Sequence, residues 1–119
     1  MRLVWTTDPH LNHVAAEQWQ CWIDEIASHG ADGVVITGDI SEGDDVVLQL
    51  QAIAQAISAP IYFVLGNHDF YQRSRGATRQ SVIHKSREID SLHYLTDDSA
   101  IELGDGVFLV GVSATDVLF

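Results

Sequence analysis

Apolar residues in the first half of the chain alternate between short runs and longer stretches with helical spacing. The short runs, rich in β-branched and aromatic residues, lie at 3–5, 34–36 and 61–65. Between them, apolar residues recur every three or four positions over 12–28 and 44–58. The runs predict buried strands, and the spacing predicts helices packed on a sheet. We therefore predict a β-α-β-α-β order, which is typical of an α/β domain with a parallel sheet.

The first predicted helix has recognisable ends and an aromatic face. Asn12 is a candidate N-cap, and Gly30 is a candidate C-terminal stop. Trp19 and Trp22 lie on the apolar side of this helix, and Trp5 lies in the first strand. We expect all three indoles to fill the core between sheet and helix.

The second half of the chain has a weaker pattern. Residues 70–90 carry five of the six basic residues with few apolar ones, which indicates a solvated helix face. The alternative is that one or two of its arginines steer a phosphate. Short strands are predicted around 92–95, 100–103 and 107–112. The tripeptide Gly104-Asp105-Gly106 predicts a hairpin turn between the last two.

Composition limits the classes of partner. The 119 residues carry 17 acidic and six basic side chains, for a formal charge of −11, which argues against non-specific nucleic-acid binding. Cys21 is the single cysteine, so no intramolecular disulfide can form. We expect one domain over 1–119, a cytoplasmic location and no membrane association, because no apolar run approaches spanning length.

Three polar patches directly follow the three predicted strands: Asp8-Pro9-His10, Gly38-Asp39 and Gly66-Asn67-His68-Asp69. Parallel strands bring their carboxyl ends to one rim of the sheet, where ligands of open α/β sheets bind. In an extended segment, Asp8 and His10 would point the same way. Carboxylate, imidazole and amide groups together predict a divalent-metal site at this rim.

Asp-x-His, then Gly-Asp, then Gly-Asn-His-Asp, each after a strand, resembles the calcineurin-like metallophosphoesterase family over residues 2–114. The resemblance implies the start of a layered αββα sandwich whose second half is truncated. It implies that Asp8 and His10 bind a first metal, Asp39 bridges two metals and Asn67 binds the second. It also implies that His68 acts as catalytic proton donor or transition-state stabiliser.

The family pattern has a second half, with histidines in Gly-His and Gly-His-x-His contexts, that is not found in this sequence. After Asp69, for which the resemblance implies an orienting role, only His84 and His93 remain, and neither fits those contexts. The ligand count favours a single ion, or none, in this chain alone. We therefore expect a half-site in a shortened phosphoesterase.

Three interpretations stay open at this point. The first is a shortened phosphoesterase whose full-length form hydrolyses phosphomonoesters or diesters with a hydroxide activated by two metals. The second is an enzyme completed by another polypeptide or by a homo-oligomer. The third is a non-catalytic interaction module that binds at most one metal.

The identity of the ligands is equally open. The expected partner is a small phosphorylated substrate or a phosphoprotein, and manganese, iron, zinc and nickel suit the ligands equally. Phe70 and Tyr71 could line a substrate pocket, although core packing is the preferred interpretation. His13 and His29 are expected to face solvent or to cap the first helix.

Overall fold

The computed structural model describes residues 1–97 and 100–111 and confirms the predicted α/β class. Its strands and helices follow one another in this order: β1 (Leu3–Thr6), α1 (Ala16–Ser28), β2 (Gly33–Thr37), α2 (Asp45–Ala56), β3 (Ile61–Val64), α3 (Arg75–Glu88), β4 (Leu92–Tyr94), β5 (Ile101–Gly104) and β6 (Val107–Leu109). Short 3₁₀ turns at Leu11–His13 and His68–Phe70 follow β1 and β3. None of the helices in the described ranges is long and apolar enough to cross a membrane.

Strands β1 to β4 form one parallel sheet in which each strand pairs with its neighbour in the sequence. Val34 in β2 stands opposite Val4 on one side and Ile61 on the other. Leu92 of β4 continues the same row beside Ile61. All four strands therefore end at the same rim, which confirms the prediction made for the first three.

One face of this sheet, the inner face, forms the core with the helices. Its buried side chains come from alternate strand positions: Val34, Ile36, Ile61, Phe63, Leu92 and Tyr94. Each helix buries residues in the same cluster: Ile23 and Ile26 from α1, Val46, Leu50 and Ile53 from α2, and Val82 from α3. Shared burial of this kind holds the three helices against a single face.

The outer face of the sheet is only partly covered. Trp5 is 70% exposed and Leu3 is 40% exposed, so the expectation that Trp5 fills the core was wrong. Alternation along β1 turns Trp5 away from the helices, and its indole N–H donates to Thr37 Oγ1 at 2.9 Å. Trp19 and Trp22 do pack against the core, as predicted.

Antiparallel strands β5 and β6 form the predicted hairpin, with Asp105 and Gly106 in the turn. Clefts separate the hairpin from the outer face: one is lined by Leu3 and Val107, another by Val64 and Leu109. The strand predicted over 107–112 ends at Leu109, and Val112 lies outside the described residues.

The start of the first helix differs from the prediction. Asn12 lies in a 3₁₀ turn, Val14 is extended, and α1 begins only at Ala16. The N-terminus of α1 is capped instead by a residue inside the helix, because Gln18 Oε1 accepts the Ala15 N–H at 3.0 Å. The cap prediction for Asn12 was therefore wrong, since the chain after the first patch has to turn before a helix can start.

The basic stretch does form a helix, α3. Ser74 Oγ accepts the Ala77 N–H at 3.1 Å as its N-cap. Arg73, just before the helix, pairs with Asp44 at 3.1 Å, whereas the guanidinium groups of Arg75 and Arg79 lie 5.6 and 5.9 Å from the ring centre of Phe70. These side chains thus have partners within the fold.

Candidate metal centre

The first and second patches are joined by backbone hydrogen bonds beyond the ends of their strands. The N–H of Asp8 donates to the Gly38 carbonyl at 3.1 Å, and that of His10 donates to the Asp39 carbonyl at 3.0 Å. Leu11 then donates to Ile40 at 2.8 Å. The two patches therefore run side by side, as a continuation of the β1–β2 pairing.

The third patch is held against the second by a close approach at Gly66. A Cβ at Gly66 would collide with the Asp39 carboxylate and lie 2.7 Å from the Asp39 nitrogen, so only glycine fits without displacing Asp39. Two residues on, the N–H of His68 donates to Asp39 Oδ1 at 3.1 Å. This bond fixes the orientation of the Asp39 carboxylate.

Asp69 ties the same two patches together from below the rim. Its side chain is fully buried, and it accepts the N–H of Ser41 at 2.9 Å and that of Gly66 at 2.8 Å. Burial raises the pKa of the Asp69 carboxyl to about 6, against the opposing effect of the two N–H donors. Its contacts are thus with the backbone that carries the other polar residues.

Asp8, His10 and Asp39 form a compact group at the rim. One potential ligand atom from each lies within 4.8 Å of the other two, and His10 Nε2 is 3.9 Å from Asp39 Oδ2. The pKa of Asp8 lies below its usual value, chiefly because the Thr7 hydroxyl donates a hydrogen bond to Oδ2 at 2.7 Å. Two carboxylates and an imidazole at this spacing fit a divalent cation.

The backbone brings these three residues together in a way that the sequence did not predict. Asp8, His10 and Asp39 have positive φ angles of 51°, 45° and 49°, in the left-handed region. The expectation of an extended segment at Asp8 and His10 was therefore wrong, because two left-handed residues turn their side chains towards Asp39. Conformations of this kind are unfavourable for residues other than glycine and concentrate at functional sites.

His68 lies beside this group. Its ring meets the ring of His10 edge-on, with the centroids 5.0 Å apart. Its Nδ1 atom is buried, 3.9 Å from Glu42 Oε1. Asn67 is exposed at the start of the 3₁₀ turn, between Gly66 and His68, and so its backbone lies next to Asp39.

The remaining histidines stay outside the group. His84 is exposed on α3 beside Glu88, and His93 stacks on Tyr62 in the sheet. His29 is exposed at the end of α1, while His13 is exposed in the first 3₁₀ turn, 6.4 Å from the ring of His10. The side chains that the structure brings together are therefore those of Asp8, His10 and Asp39, with the ring of His68 beside them.

Sequence reasoning missed Glu42, and it placed Tyr71 in the wrong environment. Glu42 could have been found as a second acidic residue three positions after Asp39. Phe70 is buried, as expected, but Tyr71 is exposed and its ring centre lies 4.4 Å from that of His68. The preferred interpretation of core packing thus holds for Phe70 and was wrong for Tyr71.

Comparison with known proteins adds one finding to this geometry. A model of the calcineurin-like phosphoesterase family matches residues 1–112, which include all three patches. A search of curated proteins gave no match.

Proposed function

The chain belongs to the calcineurin-like phosphoesterase family, and we propose that it acts as a metal-dependent phosphoesterase on a small phosphorylated substrate or a phosphoprotein. The observation that carries this proposal is the group of Asp8, His10 and Asp39, whose ligand atoms lie within 4.8 Å of one another. These three residues would hold one ion. Asp39 and Asn67 would contribute to a second.

Divalent ions at this rim would supply positive charge that lowers the pKa of a water molecule and neutralises phosphoryl oxygens. The Asp39 carboxylate is already oriented for binding such ions, because the His68 N–H donates to Oδ1 while Oδ2 lies on the side of His10. The backbone ties at Gly66 and Asp69 keep the ligands in place without a large rearrangement. Preorganised ligands of this kind require little reorganisation during the reaction.

His68 is the residue proposed to serve the leaving group. In hydrolysis, the water oxygen bonds to phosphorus, the ester P–O bond breaks, and the leaving oxygen takes a proton from the imidazole. A proton from the attacking water restores the imidazole, so the products are a phosphate and an alcohol. Since Nδ1 is buried beside Glu42, Nε2 is the nitrogen that can make this transfer.

The proposal is tested by separating metal binding from turnover. We expect His10→Asn to weaken Mn²⁺ binding by about tenfold or more in calorimetry, because it removes one of three ligands. We expect His68→Asn to keep the Mn²⁺ affinity but to lower hydrolysis of p-nitrophenyl phosphate and its diester by about 100-fold. Asn is chosen at position 10 because it tolerates the left-handed backbone there.

His84→Asn is the matched control, because His84 is an exposed histidine on α3 away from the rim. It should change neither the Mn²⁺ affinity nor the rate. Equal Mn²⁺ affinity in His10→Asn and the unaltered chain would contradict the proposed site. Unchanged turnover in His68→Asn would contradict only the proposed role of His68 and not the metal site.

A further inference from the structure

Four aromatic rings at the rim are linked by pairwise contacts. The ring of His13 is followed by His10 at 6.4 Å, then by His68 at 5.0 Å, and then by Tyr71 at 4.4 Å. The two inner rings belong to the site already described. The outer ring at Tyr71, next to the proposed proton donor, has no role in it.

The backbone of Tyr71 is fixed even though the residue is 44% exposed. Its N–H donates to the His68 carbonyl at 3.1 Å. Gly43 packs directly on it, since a Cβ at Gly43 would lie 2.7 Å from the Tyr71 carbonyl oxygen. The backbone that carries this ring is therefore fixed, and the ring itself contacts His68 while the residue remains partly exposed.

His68 faces the leaving oxygen in the proposed reaction, so the organic group of a phosphoester has to extend away from the metal ligands past His68. The Tyr71 ring lies next to that of His68, with the ring centres 4.4 Å apart and the planes tilted by 41°. A flat ring in the substrate would gain a stacking contact there that an alkyl group cannot make.

We propose that Tyr71 binds the leaving group and makes the site selective for phosphoesters of planar aromatic alcohols over those of small alkyl alcohols. This inference rests on the proposed function and adds the class of substrate. The contact uses the face of the ring, so the phenolic hydroxyl is not required.

The test measures binding, not turnover, and uses phosphonates, which cannot be hydrolysed. Phenylphosphonate, methylphosphonate and inorganic phosphate are titrated into the Mn²⁺-loaded chain by calorimetry. We expect phenylphosphonate to bind about fivefold more tightly than methylphosphonate, as one aromatic contact gives. Tyr71→Phe should keep this ratio, and Tyr71→Leu should bring it close to one without weakening methylphosphonate.

Phe108→Leu is the matched control, because Phe108 is an aromatic residue of similar exposure, 56%, on the hairpin. It should leave the ratio unchanged. A ratio that persists in Tyr71→Leu would overturn the proposal, as would an equal loss of both phosphonates, which would show that Tyr71 only positions His68. Failure of inorganic phosphate and both phosphonates to bind would overturn the proposed function itself, and with it this inference.

Discussion

The inner face of the sheet and the rim at its carboxyl end are built from the same strands, but their residues meet opposite conditions. On the inner face, Ile36 and Phe63 are fully buried among apolar side chains in regular strands. Just beyond the ends of β1 and β2, Asp8, His10 and Asp39 adopt left-handed backbone and bring two carboxylates together. Unfavourable local conformations persist only where the surrounding structure fixes them. The packed core therefore supplies the stability that keeps the rim residues in these unfavourable conformations.

The largest effect is expected in the core. Phe63 is fully buried and stacks on Tyr94 with ring centres 5.3 Å apart. Phe63→Ala should lower the free energy of unfolding by about 3–5 kcal/mol in urea titrations, because it leaves a cavity under the sheet. Phe108→Ala, on the exposed hairpin, should cost less than about 1 kcal/mol. Similar losses in both variants would break the distinction between core and surface.

A second effect concerns Asp69, the buried residue that joins core and rim. Its pKa is raised to about 6 from 3.8, so the folded state holds its proton more tightly than the unfolded state does. The stability that this proton contributes is present at low pH and is lost as pH rises through about 6. In the metal-free protein, the free energy of unfolding of Asp69→Asn should therefore rise by about 2–3 kcal/mol relative to that of the unaltered chain as the pH increases from about 4 to 7.

Urea titrations of both proteins across this pH range measure the difference directly. The difference matters, not the absolute stability, because the other acidic residues titrate in both proteins alike. A difference independent of pH would show that Asp69 remains ionised in the fold. The tie between rim and core would then rest on a buried charge held by the Ser41 and Gly66 N–H groups.

Alanine substitutions at two glycines should have smaller and opposite effects on stability. Gly66→Ala should lower the free energy of unfolding by about 2 kcal/mol and weaken Mn²⁺ binding, because the added methyl group displaces Asp39. Gly76→Ala should instead raise stability by about 0.5–1 kcal/mol, since Gly76 lies in α3 with open space around it. Calorimetric Mn²⁺ titration and urea unfolding check both variants. Unchanged metal binding in Gly66→Ala would show that Asp39 does not need this close approach.

The apolar pattern was sufficient to predict the order of elements and the meeting of the three patches. Strand-type runs before Asp8, Asp39 and Asn67 imply parallel strands, and parallel strands end at one rim. Phe70 and Tyr71 show the limit of this reasoning. Phe70 is the last residue of a 3₁₀ turn and Tyr71 follows it in extended backbone, so one enters the core and the other faces solvent beside His68.

The geometry of the site itself could not be predicted from periodicity. Left-handed backbone at Asp8, His10 and Asp39 depends on contacts between loops that are about 30 residues apart, such as the hydrogen bond from Asp8 to Gly38. Trp5 was misplaced for a related reason. Alternation along a strand shows that two faces exist, but not which face the helices cover.

The sequential order of the four parallel strands also matters for synthesis. Each strand pairs with the one made immediately before it, so no strand has to wait for a partner that is encoded later. A growing chain that leaves the ribosome can add β2 to β1 and β3 to β2 as each emerges. The three patches would then reach their positions in sequence order, and Gly66 would pack against Asp39 after Asp39 is in place.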